Sequence, residues 1–152
     1  MTYKSELARC AAEIRKILKD KNIKASVRSK QFSMGNSVDV EIKEIINPEV
    51  YKALQKELAK YKYGHFDGMY DIYEHSNIRE DIPQTKYLTI QYDWELHDES
   101  VKKVEEFVRG KVNLGYSHNP DHEYNRIAND LLYGRDDFIA WKEVENVIKE
   151  VA

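Results

Sequence analysis

The sequence predicts an α+β fold: a small antiparallel sheet of about three strands packed with N-terminal helices, plus a helical C-terminal subregion. Three observations lead there. Leu7, Cys10, Ala11, Ile14, Ile17 and Leu18 recur three and four apart within residues 4–21, the period of an amphipathic helix. Two stretches after it alternate apolar and polar residues around a short loop holding Gly35 and Asn36, the pattern of a hairpin with one buried face. From residue 98 onward only helical periods recur. Strands and helices do not alternate strictly, and this separates the order from the α/β class.

Each element can be justified in turn. The first strand is "IKASVRS", with Ile23, Ala25 and Val27 on one face and Lys24, Ser26 and Arg28 on the other. Its partner sets Val38, Val40 and Ile42 against Ser37, Asp39, Glu41 and Lys43, which places Arg28 and Asp39 on the exposed face as a cross-strand pair. In the loop "SMGN", Gly35 and Asn36 are the residues expected for positive φ. A second helix opens on Asn47 as N-cap and Pro48 at its first position, with Val50, Leu54, Leu58 and Tyr61 as the buried stripe. "KYGHFDGMYDIYEHSN" reads as a loop leading into a short helical turn. The third strand, "KYLTIQYDW", sets Tyr87, Thr89 and Gln91 against Leu88, Ile90 and Tyr92.

Three helices are expected to follow. Asp98 begins one with Val101, Val104, Val108 and Val112. Asn119 and Pro120 open the next, which carries Tyr124, Ile127, Ala128, Leu131 and Leu132 and stops at Gly134. Asp136 caps the last, with Trp141, Val144, Ile148 and Val151 as its stripe. The 152 residues suit a single domain, 1–152, with subregions 1–95 and 96–152 and any boundary near 93–100.

A chain of this length buries roughly two-thirds of its unfolded surface, so it needs neither disulfide nor metal to fold. The one cysteine, Cys10, sits among apolar helix positions and reads as an inert core thiol. No run reaches the length of a membrane span, and "MTYKSELARC" lacks the apolar core of a signal peptide, so a soluble cytoplasmic protein is expected. Charge is unevenly spread. Residues 1–62 hold fourteen Lys or Arg against eight Asp or Glu, while residues 63–152 hold ten against nineteen. Ordinary solvated charge explains such a split, as does a basic docking face or an acidic mimic of nucleic acid.

Taken together, "SVRSKQFSMGNSVDV" at 26–40, "FDGMYDIYEH" at 66–75 and the leading helix "AAEIRKILK" resemble the large-polyvalent-protein-associated domains, in particular the twenty-ninth of that series. The resemblance covers roughly residues 5–93. Met34 stands where the family's loop usually has the first of two glycines. The resemblance implies a setting in phages and conjugative elements, in proteins that enter a cell with invading DNA and act on host defences or early establishment. It supplies no catalytic residue.

Several clusters carry candidate chemistry. His65, Asp67, Asp71, Glu74 and His75 contain a set (67, 71, 74 and 75) that would share one face of a helix, where carboxylates and imidazole can hold a divalent cation that activates water. Gly68 opposes a helix there, the spacing matches no specific ligand motif, and the competing reading has Phe66, Met69 and Tyr73 packed inward with the acids in water. His118, Asp121, His122 and Glu123 form a second set, which helix capping explains without a metal. There is no Gly-x-Ser-x-Gly turn and no phosphate-binding glycine loop, and no cofactor is implied. Lys19, Lys21, Lys24, Arg28 and Lys30, with Phe32 to stack on a base, are candidate nucleic-acid contacts.

Residues 65–99 carry nine acids against Arg79 and Lys86, among the aromatics Tyr70, Tyr73, Tyr87, Tyr92 and Trp94. Aromatic anchors inside an acidic field suit a basic protein partner. Asp67, Tyr70, Asp71, Tyr73, Glu74, Asp93, Trp94 and Glu95 are the expected contact residues. The expected function is a non-enzymatic counter-defence inhibitor that blocks a host nuclease complex, of anti-CRISPR or anti-restriction type. A DNA-binding accessory factor and a metal-dependent hydrolase are the alternatives.

Overall fold

The structure is a computed structural model and describes residues 5–70, 72–112, 119–136 and 139–149. The chain groups into two compact units, one of Met1–Glu44 with Ala53–Tyr92 and one of Ile45–Lys52 with Asp93–Ala152. The α+β class holds in its elements.

The first unit opens with α1 (Glu6–Asp20), capped by Ser5, whose hydroxyl accepts from the N–H of Ala8. Asn22, at φ 58°, ends it: its N–H reaches the carbonyl of Lys19 and that of Ile23 the carbonyl of Leu18. This is a Schellman stop, with Asn at the left-handed position that glycine usually fills. Strands β1 (Ala25–Phe32) and β2 (Gly35–Ile42) form the expected hairpin, with Arg28 opposite Asp39. The turn itself is Ser33–Met34; Gly35, the first residue of β2, takes positive φ, and Asn36 beside it has a different task, described below.

The third strand, β5 (Tyr87–Tyr92), pairs with β2 in parallel, so the sheet is mixed, in the order β1-β2-β5. The expectation of a wholly antiparallel sheet is corrected. The reason is the long connection from β2 to β5, which has length enough to return the chain to the same end of the sheet. Helix α1 lies on β1 and β2, and Cys10, Ile14 and Leu18 are buried with Val38, Val40 and Ile42.

Helix α2 (Pro48–Leu58) begins where expected, with the Asn47 side chain accepting from the N–H of Glu49 at 2.8 Å. Its stripe is shifted by one residue at the start. Tyr51 is 8% exposed whereas Val50 is 43% exposed, because Tyr51 packs edge-on against Tyr133 at 5.8 Å. Leu54, Leu58 and Tyr61 are buried as expected. A 3-10 turn, Ala59–Tyr61, extends the helix, and among the described residues of 62–77 the expected helical turn does not appear. That segment forms a second, two-stranded antiparallel sheet, β3 (His65–Asp67) with β4 (Ile72–Glu74).

The second unit packs α3 (Trp94–Arg109), α4 (Pro120–Leu132) and α5 (Trp141–Lys149) around Val104, Val108, Ala128, Leu131, Leu132 and Val144. Helix α3 begins four residues before Asp98, and Val112 lies beyond its end while still packing on this core. Helix α4 has the caps read from the sequence: Asn119 accepts from the N–H of His122, and Gly134 turns the chain at φ 71°. Asp136 is too far upstream to cap α5, whose first turn instead bonds to the carbonyl of Ala140. Val151 lies outside the described residues. Among the described residues, no helix is long and apolar enough to cross a membrane.

Candidate functional site

The site is built on the β3–β4 hairpin and on the groups that dock it against the start of β5. In a strand of three residues alternate side chains take opposite faces, so Tyr73 points one way and Ile72 and Glu74 the other. Tyr73 points toward the main sheet. Its hydroxyl donates to the carbonyl of Lys86 at 2.5 Å, and its ring meets those of Tyr87, Tyr63 and His75 at 5.5, 5.9 and 5.3 Å. Burial among these rings pushes the Tyr73 hydroxyl up to about 12, and the neighbouring Tyr63 and Tyr87 add to the effect.

Phe32, at the tip of the β1–β2 hairpin, stacks on Tyr87 with centroids 6.1 Å apart. The Lys86 ammonium lies over the Tyr73 and Tyr87 rings and donates to the carbonyl of Met34 at 2.8 Å. Two hairpins and the first residues of β5 are thereby joined through one aromatic cluster.

Below the cluster is a polar clamp. The side-chain oxygen of Asn36 accepts from the Thr85 hydroxyl and from the N–H of Lys86, both at 2.9 Å. Gln84, also buried, donates to the carbonyls of Lys60 and Asn77 and accepts from the N–H of Arg79. A clamp whose groups are all satisfied costs nothing in unpaired polar atoms and fixes one geometry. Gly64 completes it. A Cβ there would run into the carbonyl of Glu74 and come within 2.6 Å of the Tyr73 ring.

The opposite face of the hairpin carries His65, Asp67, Ile72 and Glu74, by strand alternation and register. His65 is held by Ser76 at 2.9 Å and faces the Glu74 carboxylate at 3.4 Å. The carboxylate of Asp67 accepts from the N–H of Met69 and shapes the turn. Met69 is 87% exposed, Tyr70 70% and Ile72 51%.

These positions redistribute the residues singled out in the sequence. The helical face expected to gather Asp67, Asp71, Glu74 and His75 does not form among the described residues, because 65–67 and 72–74 are strand; His75 stacks flat on Tyr63 instead. Among the described residues, no three His, Cys, Asp or Glu side chains are grouped to hold a metal. Asp71 and His118 lie outside the described residues. In the second set, Asp121 pairs with Arg109 and Glu123 with Arg126, while His122 follows the Asn119 cap. Met69, expected inside on the packing reading, is outside.

Of the expected partner contacts, Tyr70 is exposed while Tyr73 anchors the hairpin. Tyr92 is buried. Asp93, Trp94 and Glu95 belong to the other unit at the start of α3, where Trp94 is exposed. Among the expected nucleic-acid contacts, Arg28 and Lys30 are exposed on β1, Lys21 pairs with Glu57 at 2.8 Å, the N–H of Lys24 donates to Glu44, and Phe32 is committed to Tyr87. Sequence reasoning missed Asn36, Lys86 and the Gln84–Thr85 pair. Their one signal was a polar Gln-Thr-Lys run just ahead of a strand.

The family comparison bears directly on this arrangement. The family model described as "Large polyvalent protein associated domain 29" matches residues 5–107. The chain belongs to that family. The match takes in both hairpins and their docking residues, and it continues through most of α3, further than the motifs in the sequence reach. The family's setting is that of phage and mobile-element proteins. No curated protein and no solved structure matches the chain.

Proposed function

We propose that this domain is a non-enzymatic binding module that a phage or mobile element uses against host defence, acting in the host cytoplasm by blocking a nuclease complex. A CRISPR effector is the first candidate partner and a restriction system the second. The observation that carries the reading is the outer side of the β3–β4 hairpin, where Met69, Tyr70 and Ile72 stand in solvent beside Asp67 and Glu74. Exposed apolar side chains rimmed by acids fit a basic, partly apolar groove of the kind that holds nucleic acid. The rigid docking of the hairpin through Tyr73 favours a preformed contact surface, which lowers the ordering cost of binding.

The test is affinity capture from host lysate, repeated after nuclease treatment. A defence nuclease held stoichiometrically after treatment, and lost with an Asp71→Lys, Glu74→Lys charge reversal, is the expected result. Recovery of nucleic acid alone would instead favour a DNA-binding accessory factor. Stoichiometric divalent metal in the purified protein would favour a metal-dependent hydrolase.

A further inference from the structure

The outer edge of β1 offers a second docking place, away from the β3–β4 hairpin and not implied by the proposed function. Phe32 opposite Gly35 closes the hairpin, and the N–H of Lys43 bonds the carbonyl of Lys24 at 2.8 Å. In an antiparallel ladder bonded pairs recur at every second residue, so even-numbered residues 26–32 spend their N–H and C=O groups on β2. Ala25, Val27, Ser29 and Gln31 direct theirs outward. Arg15 confirms the direction, since its guanidinium donates to the carbonyl of Val27 at 2.8 Å. Among the described residues, no group meets the outward backbone of Ser29 or Gln31. The strand is eight residues long, contains no proline, and is exposed from Arg28 to Phe32. Edges of this kind accept further strands.

Next to this edge lies a cavity of about 550 Å³ between α1 and β1. Leu18, Ile23 and Val27 give it an apolar floor, and Arg15, Lys19 and Lys24 a rim that is basic on balance, with Glu44 the acid in it. Arg28 and Lys30 continue the positive charge along the strand. The charge decides the occupant. A second copy paired β1 to β1 would set Arg28 and Lys30 against their own equivalents, which is repulsive across a strand pair. An extended peptide with carboxylates at alternate positions meets the same charges with attraction, and a backbone-paired peptide takes its affinity from the ladder and its selectivity from the pocket.

We propose that the β1 edge and the adjoining α1–β1 groove bind an acidic, extended peptide segment of a partner protein as a fourth strand, with one apolar side chain seated over Leu18, Ile23 and Val27. Single-stranded DNA would use the same cations but not the outward N–H and C=O groups of Ser29 and Gln31. The probe is a fluorescent octapeptide alternating Glu with Leu, compared with the same peptide N-methylated at alternate residues and with an oligo-dT of similar charge. Saturable binding of the first, weakened about tenfold by N-methylation and by Gln31→Pro, is expected. The proline removes an outward N–H and leaves the β2 ladder whole. N-methylation makes the same test from the ligand side should that variant not fold. Failure of the peptide to bind, equal binding of its N-methylated form, or tighter binding of oligo-dT would overturn the proposal.

Discussion

The hydroxyl of Tyr73 donates to the backbone carbonyl of Lys86, and the Lys86 ammonium turns back over the Tyr73 ring. The two residues hold each other across the junction of β4 and β5, and the exposed hairpin tip is carried on that junction. A net hydrogen bond in such a place contributes about 1 kcal/mol. Tyr73→Phe should therefore lower unfolding free energy by about that amount, and amide exchange should quicken in β3 and β4 ahead of the main sheet. Unchanged exchange there would mean that the hairpin is held by something else.

Gly64→Ala should be costlier. The new methyl meets backbone on one side and the Tyr73 ring on the other, so the hairpin must lift or the loop must shift. Overpacking of this kind costs roughly 1–3 kcal/mol. The check is urea denaturation, with the Tyr63 and Tyr73 ring resonances followed by NMR.

Asn36→Ala removes the acceptor of the part-buried Lys86 N–H and the nearer acceptor of the buried Thr85 hydroxyl, which keeps the Tyr87 carbonyl at 3.2 Å. A loss of about 1–3 kcal/mol is expected, the range for stranding a buried polar group. Gly35 and Asn36 are the first two residues of β2, and only Gly35 takes positive φ. A melting point unaltered by Asn36→Ala would return Asn36 to the loop role read from the sequence.

Burial pushes the Cys10 thiol up to about 12 from an ordinary 9.0, with Glu13 and Glu6 adding to it. Below pH 9 the thiol is protonated whether the chain is folded or not, and its contribution to stability is fully present. Between pH 9 and about 12 the unfolded chain releases the proton while the folded chain keeps it, so stability falls as pH rises. Cys10→Ala should fold less stably at neutral pH but show a shallower alkaline decline than the wild type. Parallel declines in urea titrations across that range would contradict the buried thiol.

Substitutions at the start of α2 separate two registers of the same helix. Val50→Lys should change stability by no more than about 0.5 kcal/mol, as exposed sites do. Tyr51→Ala should cost about 3 kcal/mol through the lost packing on Tyr133. Thermal melts of the two variants give the comparison.

Legibility in the sequence follows the range of the interactions involved. Helix α4 could be read to both ends because Asn119, Pro120 and Gly134 act on the chain next to them. The direction of β5 could not, since it depends on the path of the long connection from β2 and not on the residues of the strand. Strands β3 and β4 have three residues each, too few to show a period, and they exist because Gly64 and Tyr73 let them dock on distant groups. The same reason governs the site. Its acidic and aromatic content was visible, but the division between exposed Tyr70, packed Tyr73 and buried Tyr92 depends on Tyr70 falling in the β3–β4 turn and on the strand faces that Tyr73 and Tyr92 occupy.

The most direct test of the proposed binding is the affinity of any defence nuclease recovered by the lysate capture for a Met69→Ser, Tyr70→Ser double variant, measured beside the wild type with melting points as the control for folding. The account predicts unchanged melting and binding weakened about thirtyfold or more, as for removal of an interface hot spot. Equal affinity for the two proteins would show that the β3–β4 tip is not the contact surface.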